Sequence, residues 1–304
     1  MPEPCGTGGF KGLNSGGASY PLAARFLMKK RMTRSFWQII LVSIMALSAC
    51  VSGNDIEPVT DGDWYRPAVG ATWQWQLSGK VNQQYQVDIY DIDLFDSSAD
   101  LIYDIQSSGS KVICYFSAGS YEGWRDDAKD FKAAELGNAL DGYENERWLD
   151  IRSSNVLSIM TRRMDLAVEK GCDGVEPDNM DGYTNNPGFK LSAKDQLAFN
   201  RNIANAAHAR GLSVGLKNDL DQVSDLIDYY DFAVNEQCFE YEECDTLTPF
   251  IKAGKAVFHT EYKEEYLQNE GNKKAICDQA RALSFSTLLL PVELDDSFRF
   301  SCSP

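Results

Sequence analysis

Acidic side chains recur at the ends of short apolar runs along this chain. Asp91 and Asp93 close one run, Glu176 and Asp178 close another, and Glu236 closes a third. Two carboxylates on different strands, with aromatic rings nearby, supply the acid and the nucleophile or base that glycoside hydrolysis needs. The pattern therefore predicts a carboxylate-based site for carbohydrate chemistry, assembled from distant parts of the chain.

Other polar and aromatic side chains follow the same runs. Lys217 and Asn218 end a further run, and Trp124 stands just after another. Carboxylates crowded at one rim repel one another, so a fold keeps them where a cationic ligand or proton chemistry uses them. The residues that we expect to bind substrate are Asp91, Asp93, Tyr115, Glu122, Trp124, Glu176, Asn179, Asp181, Lys217, Asn218 and Glu261.

The composition argues against several other functions. The 304 residues include 45 acidic and 29 basic side chains, for a net charge of −16. A nucleic-acid partner would require a basic surface, so none is expected. The two histidines, His208 and His259, form no HExxH pattern, and no CxxC occurs. We therefore expect neither a metal nor a cofactor.

Eight apolar, β-branched runs alternate with amphipathic segments. The predicted strands cover residues 73–77, 85–95, 111–119, 172–179, 212–218, 230–238, 255–262 and 285–294. The predicted helices cover residues 98–109, 153–171 and 192–211, which open on serine and end on glycine, and later 219–230 and 264–284. Residues 50–304 number 255, close to the roughly 250 of a (β/α)8 barrel. We predict an α/β fold, a single-domain (β/α)8 TIM-type barrel, whose strand ends carry the active site.

The amino-terminal region has the pattern of an export signal. A basic segment, residues 28–34, precedes an apolar stretch that ends in Leu47-Ser48-Ala49-Cys50, the order of a secretory signal with a lipobox. We expect acylation of Cys50 to anchor an exported protein to a bacterial membrane, at the outer membrane or cell surface; a signal peptide with a chance cysteine is the alternative. The predicted organisation is a non-native upstream extension (1–27), a lipoprotein signal peptide (28–49), a tether (50–66) and the barrel (67–304).

Six further cysteines suit an exported protein with disulfides. Cys238 and Cys244 close a short loop and form the first candidate pair. The remaining candidates are the pairs Cys114–Cys172 and Cys277–Cys302, although buried free thiols at 114 and 172 are an alternative.

Five segments between Trp73 and Tyr262 carry a family resemblance. They are VICYFSAGSYEGWRDDA, WLDIRS, GCDGVEPDNMDGY, GLSVGLKND and FAVNEQCFEYEEC. In order and spacing they resemble the endo-α-1,4-polygalactosaminidases of glycoside hydrolase family 114. The resemblance implies a (β/α)8 barrel, with extra strands in some members, that cleaves α-1,4-linked galactosamine in cationic exopolysaccharides. It also implies Asp178 and Glu236 as the catalytic pair, while Glu176 stands where many relatives have Asp.

The charge of the chain fits such a substrate. Residues 1–49 carry +5, which leaves −21 for the remainder, and galactosamine is mostly protonated at neutral pH. The expected partners are thus a cationic galactosamine polymer and, through the lipid anchor, a membrane. The polymer could be the organism's own exopolysaccharide or that of a competitor's biofilm. The protein is expected to be a monomer. The alternatives are a hydrolase of another α-linked polysaccharide, a non-catalytic polysaccharide-binding lipoprotein, and a barrel lyase or aldolase that uses a divalent cation or a Lys217 Schiff base.

Overall fold

The structure, a computed structural model, describes residues 56–303. The predicted signal peptide and Cys50 lie outside these residues. Within the described range, no helix has the length and apolar character that a membrane span needs.

The strands form one large sheet and one small one. In chain order they are β1 (Trp73–Gln76), β2 (Ile89–Asp93), β3 (Lys111–Ser117), β4 (Ser120–Glu122), β5 (Leu136–Leu140), β6 (Tyr143–Leu149), β7 (Gly174–Asp178), β8 (Ser213–Lys217), β9 (Phe232–Glu236), β10 (Ala256–Glu261), β11 (Ser286–Leu289) and β12 (Phe300–Ser301). The large sheet has the order β1-β2-β3-β7-β8-β9-β10-β11-β12, and only the β11–β12 pairing is antiparallel. Its first eight strands correspond to the eight predicted runs.

The large sheet curls around an apolar interior. Trp73, Ile113, Phe232 and Phe258, from four different strands, belong to one buried cluster. The rings of Trp73 and Phe258 lie 5.1 Å apart between centroids, across the interior from β1 to β10. The two edges also approach each other, because Trp73 Nε1 donates to the Ser286 carbonyl at 2.9 Å. The predicted α/β barrel fold is therefore confirmed.

Helices cover the outer face of the sheet. They are α1 (Ala99–Ser107), α2 (Ser154–Lys170), α3 (Ala193–His208), α4 (Val223–Leu226), α5 (Thr248–Lys252), α6 (Glu264–Gln268) and α7 (Glu270–Ala282). The predicted serine caps form: Ser98 accepts from Leu101 N at 3.1 Å, and Ser192 shares a capping box with Asp195. The burial of their apolar faces against the strands then holds the helices in place.

Two predicted helices differ from the observed ones. The segment 219–230 forms only a 3-10 turn and the four-residue α4. The segment 264–284 divides into α6 and α7 because Asn269 caps the second helix, accepting from Gly271 N at 2.9 Å and Asn272 N at 3.2 Å.

A small antiparallel sheet, with the order β4-β6-β5, follows β3 and was not predicted. We call residues 120–149 the insert. Leu149 N donates to the Gly119 carbonyl at 2.9 Å, and Asn138 N donates to the Pro187 carbonyl at 3.1 Å. These bonds fix the insert beside the carboxyl ends of β3 and β7.

Three disulfides join the pairs that the sequence suggested. Cys114–Cys172 links β3 to the segment after α2, Cys238–Cys244 closes the loop after β9, and Cys277–Cys302 ties α7 to the chain after β12. His259 lies beside the second disulfide, but cysteines bonded to each other are not free to ligate a metal.

Candidate active site

Three adjacent strands deliver charged side chains to the same end of the barrel. Asp178 ends β7, Lys217 ends β8 and Glu236 ends β9. Parallel strands bring their carboxyl ends to one edge, as the sequence predicted, so residues about 20 to 60 positions apart become neighbours.

Lys217 lies at the centre of these groups. Its Nζ is 3.1 Å from Asp178 Oδ1, 3.3 Å from Glu236 Oε2 and 3.3 Å from Glu176 Oε1. We call these four residues the Lys217 cluster. Burial lowers the pKa of Lys217, but the three carboxylates outweigh it and hold the pKa well above the usual range for lysine. Lys217 is therefore a fixed ammonium ion, only 2% exposed, and not a nucleophilic amine.

Each of the two cavity-facing carboxylates has further donors. Asp178 accepts from the Tyr115 hydroxyl at 2.9 Å and from Asn179 N at 2.6 Å. Glu236 accepts from the Tyr262 hydroxyl at 2.6 Å and from Asn218 Nδ2 at 3.2 Å. Both carboxylates are thus oriented from two sides.

The two phenols in this arrangement remain donors. Burial, followed by Asp178 for Tyr115 and by Glu236 for Tyr262, raises the pKa of each hydroxyl well above its usual range. Because neither phenol ionises near neutral pH, each can donate to its carboxylate throughout that range.

A cavity of about 1360 Å³ opens above the Lys217 cluster. Small-molecule sites usually measure roughly 300–1,000 Å³, so this space suits a larger ligand. Trp75 and Lys217 contribute to its lining, with the ammonium 4.9 Å from the Trp75 ring centroid. The exposed rings of Trp124 and Tyr143 also line the cavity, which provides aromatic faces for a bound sugar.

Arg125 neutralises two of the predicted substrate-binding acids. Its guanidinium contacts Asp93 Oδ2 at 2.6 Å and Glu122 Oε1 at 2.8 Å, and Arg163 lies 3.6 Å from Glu122. Burial lowers the pKa of Arg125, but Glu122 and Asp93 outweigh this effect and raise the pKa above its usual value, so the guanidinium stays charged. These acids line the cavity as one ion-paired unit.

Within residues 56–303, the acids on the other side of the cavity have no basic partner in direct contact. Asp181 lines the cavity and a smaller pocket beside Glu236, which Asp219, Asp221 and Glu243 also line. Burial and Asp178 raise the pKa of Asp181 to about 6, and burial and Asp181 raise the pKa of Asp219 to about 8. The side chains of Lys and Arg are absent among the described residues that line this smaller pocket.

Three of the predicted binding residues lie away from the cavity surface. Glu261 is fully buried, 3.2 Å from His259 Nε2, and accepts from Phe239 N at 2.8 Å. Its neighbour Tyr262, which we did not predict, faces Glu236 because adjacent strand residues point to opposite sides. Asp91 and Glu176 are 1% and 0% exposed and lie beneath the cavity lining.

The remaining predicted residues lie where the sequence placed them. Tyr115, Trp124, Asn179, Asp181, Lys217 and Asn218 line the cavity together with Asp178 and Glu236. Glu146 and Tyr143 from the insert also line it and were not predicted. They belong to the segment YENERWL, whose first five residues are mostly polar, so the sequence showed no apolar face from which a strand could be predicted.

Comparisons with known proteins agree with this architecture. The family model of glycoside-hydrolase family GH114 matches residues 54–304. A crystal structure of Ega3 from Aspergillus fumigatus, in complex with galactosamine, is 44% identical; the match covers 81% of this chain and 100% of that one, with a TM-score of 0.76. The glycoside hydrolase domain of PelA from Pseudomonas aeruginosa is 12% identical, with coverage of 76% and 97% and a TM-score of 0.58, and shares the fold. No curated protein matches the chain.

The family match spans the entire described structure, and it coincides with a carboxylate-rich cavity at the strand ends of a barrel. The chain therefore belongs to glycoside-hydrolase family GH114 and is a glycoside hydrolase.

Proposed function

We propose that this enzyme cleaves α-1,4-linked galactosamine polymers at internal bonds, with Asp178 and Glu236 as the catalytic carboxylates. The observation that carries the proposal is that both groups face the large cavity while sharing the ammonium of Lys217. Glu176, the third carboxylate on this ammonium, is fully buried and cannot reach a sugar.

The geometry of the pair is compatible with retention of anomeric configuration, which we propose. Asp178 Oδ1 and Glu236 Oε2 lie 3.1 and 3.3 Å from the same nitrogen, which limits their separation to about 6.4 Å. Retaining enzymes hold their carboxyl groups about 5–5.5 Å apart, whereas inverting enzymes require roughly 6.5–9.5 Å for an intervening water. A retaining mechanism, with a covalent glycosyl-enzyme intermediate, fits within this limit.

Fixed donors distinguish the roles of the two carboxylates. The backbone N–H of Asn179 points at Asp178 and can only donate, so it fixes the position of the carboxylate oxygen that a nucleophile would use. Both carboxylates accept from a phenol, but the second donor to Glu236 is the Asn218 side-chain amide and not a backbone N–H, and a side chain can rotate to accommodate a proton on Glu236. We assign Asp178 as nucleophile and Glu236 as the acid that protonates the leaving oxygen and then activates water.

The charge of the cavity supports an amino-sugar substrate. Its two basic lining residues, Lys217 and Arg125, are already paired with carboxylates. Asp141, Glu146, Asp181 and Glu293 add further acids to the described lining. The ammonium groups of a galactosamine polymer complement this excess, and Ega3 is crystallised with galactosamine.

The proposal is tested with defined galactosamine oligomers. We expect Asp178→Asn and Glu236→Gln each to lower kcat by about a thousandfold or more, because acid–base or nucleophilic participation is lost. Asp100→Asn and Glu169→Gln are the matched controls and should retain kcat, because both residues are exposed and neither lines the cavity. Internal cleavage should give a range of short products, and NMR should show the α-anomer first.

Several outcomes would contradict the proposal. Full activity in either site variant would remove that residue from the chemistry. Initial release of the β-anomer would exclude retention, and cleavage of a neutral α-linked galactan in preference to the amino sugar would exclude the proposed substrate.

We further propose that the enzyme is exported and anchored by lipid at Cys50, where it acts on the exopolysaccharide of a biofilm. The proposal rests on the signal pattern and lipobox at residues 28–50. Expression of the full chain in a bacterium with labelled palmitate should label the protein and place it in the membrane fraction. Cys50→Ser should abolish both, and an unlabelled wild-type protein would contradict the proposal.

A further inference from the structure

Beneath Asp178, Lys217 and Glu236 lies a carboxyl pair, Asp91 and Glu176, that the proposed mechanism does not use directly. Asp91 lies within β2 and Glu176 within β7, on either side of β3. Both side chains are buried, at 1% and 0% exposure, and neither lines the cavity. Their role must therefore be exerted through another residue.

The two carboxyl groups lack sufficient donors. Asp91 Oδ1 and both oxygens of Glu176 have no hydrogen-bond donor among the described residues. In the described part of the chain, the one cation in reach of Glu176 is Lys217, at 3.3 Å, and that ammonium also contacts Asp178 and Glu236. An unpaired buried carboxylate is costly, because no water stabilises its charge.

The number of charges around Asp91 and Glu176 indicates that the two carboxyl groups share one proton. The titratable groups that face it are Lys217 from β8, Asp178 from β7, Glu236 from β9 and two neutral phenols, Tyr115 from β3 and Tyr262 after β10. Four ionised carboxylates would surround a single ammonium. A proton held between Asp91 and Glu176 removes one of these charges and supplies the missing hydrogen bond.

The electrostatic surroundings agree with this count. Burial and the nearby Glu176 raise the pKa of Asp91 well above its usual range. Burial raises the pKa of Glu176 to about 7, while Lys217 opposes the increase. Because Lys217 contacts Glu176 directly, the negative charge of the pair is best placed on Glu176 and the proton on Asp91.

We propose that Asp91 is a positioning residue that stays protonated and donates a hydrogen bond to Glu176, so that ionised Glu176 anchors the Lys217 ammonium between Asp178 and Glu236. This inference rests on the proposed catalytic roles of Asp178 and Glu236. In this arrangement Asp91 acts on the reaction through two intervening side chains and touches no substrate.

Two substitutions separate a hydrogen-bond donor from a space-filling group. The amide of Asp91→Asn donates to Glu176 permanently, whereas Asp91→Leu has similar size and no donor. We expect Asp91→Leu to lower kcat by about 100-fold, with KM little changed, since displaced catalytic groups cost rates of that order. The kcat of Asp91→Asn should be at least about tenfold higher than that of Asp91→Leu. Equal loss in both variants, with both folded by circular dichroism, would overturn the proposal.

Infrared spectroscopy tests the proton without any substrate. The difference spectrum of wild type minus Asp91→Asn, recorded at pH 7, should contain the carbonyl stretch of one protonated carboxylic acid. The same difference with the exposed control Asp100→Asn should not. Absence of the band in the first spectrum would show that the pair holds no proton. If the band is present but wild type and Asp91→Asn are both inactive on every galactosamine oligomer, the proposed function alone is refuted.

Discussion

Left-handed backbone follows each strand-end residue of the Lys217 cluster. Asn179 has φ 59°, Asn218 has φ 48° and Gln237 has φ 62°. Such a conformation is uncommon outside glycine, and asparagine tolerates it best. The chain thus turns away from the barrel directly after Asp178, Lys217 and Glu236, which leaves these charged side chains at the rim. Strain is concentrated where the geometry of the catalytic groups is set.

Gly119 controls the position of one of these turns. A Cβ at this residue would lie 1.7 Å from the Asn179 carbonyl oxygen, and Gly119 N donates to the Asp178 carbonyl at 3.0 Å. We expect Gly119→Ala to displace the 178–179 backbone and to lower kcat by about 100-fold. Overpacking of this kind should also reduce the free energy of unfolding by about 1–3 kcal/mol. The measurements are steady-state kinetics and denaturant unfolding.

Gly123→Ala provides the matched control for that variant. A Cβ at Gly123 would have its nearest contact 3.4 Å away, on the Tyr121 ring, which is an ordinary packing distance. If Gly119→Ala and Gly123→Ala had the same kcat, the close approach of residues 119 and 179 would not matter to catalysis.

At the scale of elements, the barrel strands could be predicted because they are buried on both faces. Runs such as KVICYFS at β3 and AVFHTE at β10 read as apolar and β-branched over their length. Their ends then identified the site, since every parallel strand of a barrel presents its carboxyl end to the same rim. The prediction of Lys217 and Asn218 beside the acids followed from this rule alone.

The insert could not be predicted for the opposite reason. Most residues of β6 are exposed, so its sequence lacks an apolar run, and its strands are held mainly by pairing with one another. Side-chain direction was also not predicted: Glu261 and Tyr262 are adjacent and point to opposite sides, and only the strand register shows that Tyr262 is the one that reaches Glu236. The pairing of Asp93 and Glu122 with Arg125 likewise depends on contacts over up to 32 positions.

At the scale of the whole molecule, buried acids should make stability fall as the pH rises. In the unfolded chain, Asp and Glu lose their protons near pH 4. In the folded protein the pKa is raised to about 6 for Asp181 and about 8 for Asp219, in each case chiefly by burial. Between pH 4.5 and 8 the native state therefore binds more protons than the unfolded state. The free energy of unfolding must decrease with pH across this window.

We expect the free energy of unfolding to be about 2 kcal/mol higher at pH 6 than at pH 8, because over this interval Asp219 gives up its proton in the folded protein, whereas in the unfolded chain it is already ionised. Below about pH 4 the trend should reverse, since hydrogen bonds lower the pKa of Asp150 and Asp195 and their ionised forms are lost there. Urea unfolding at fixed ionic strength measures both limbs. Asp219→Asn removes the main titrating group and should flatten the curve between pH 6 and 8. Wild-type stability that is constant or increases toward pH 8 would show that these acids ionise in the folded protein as freely as in the unfolded chain.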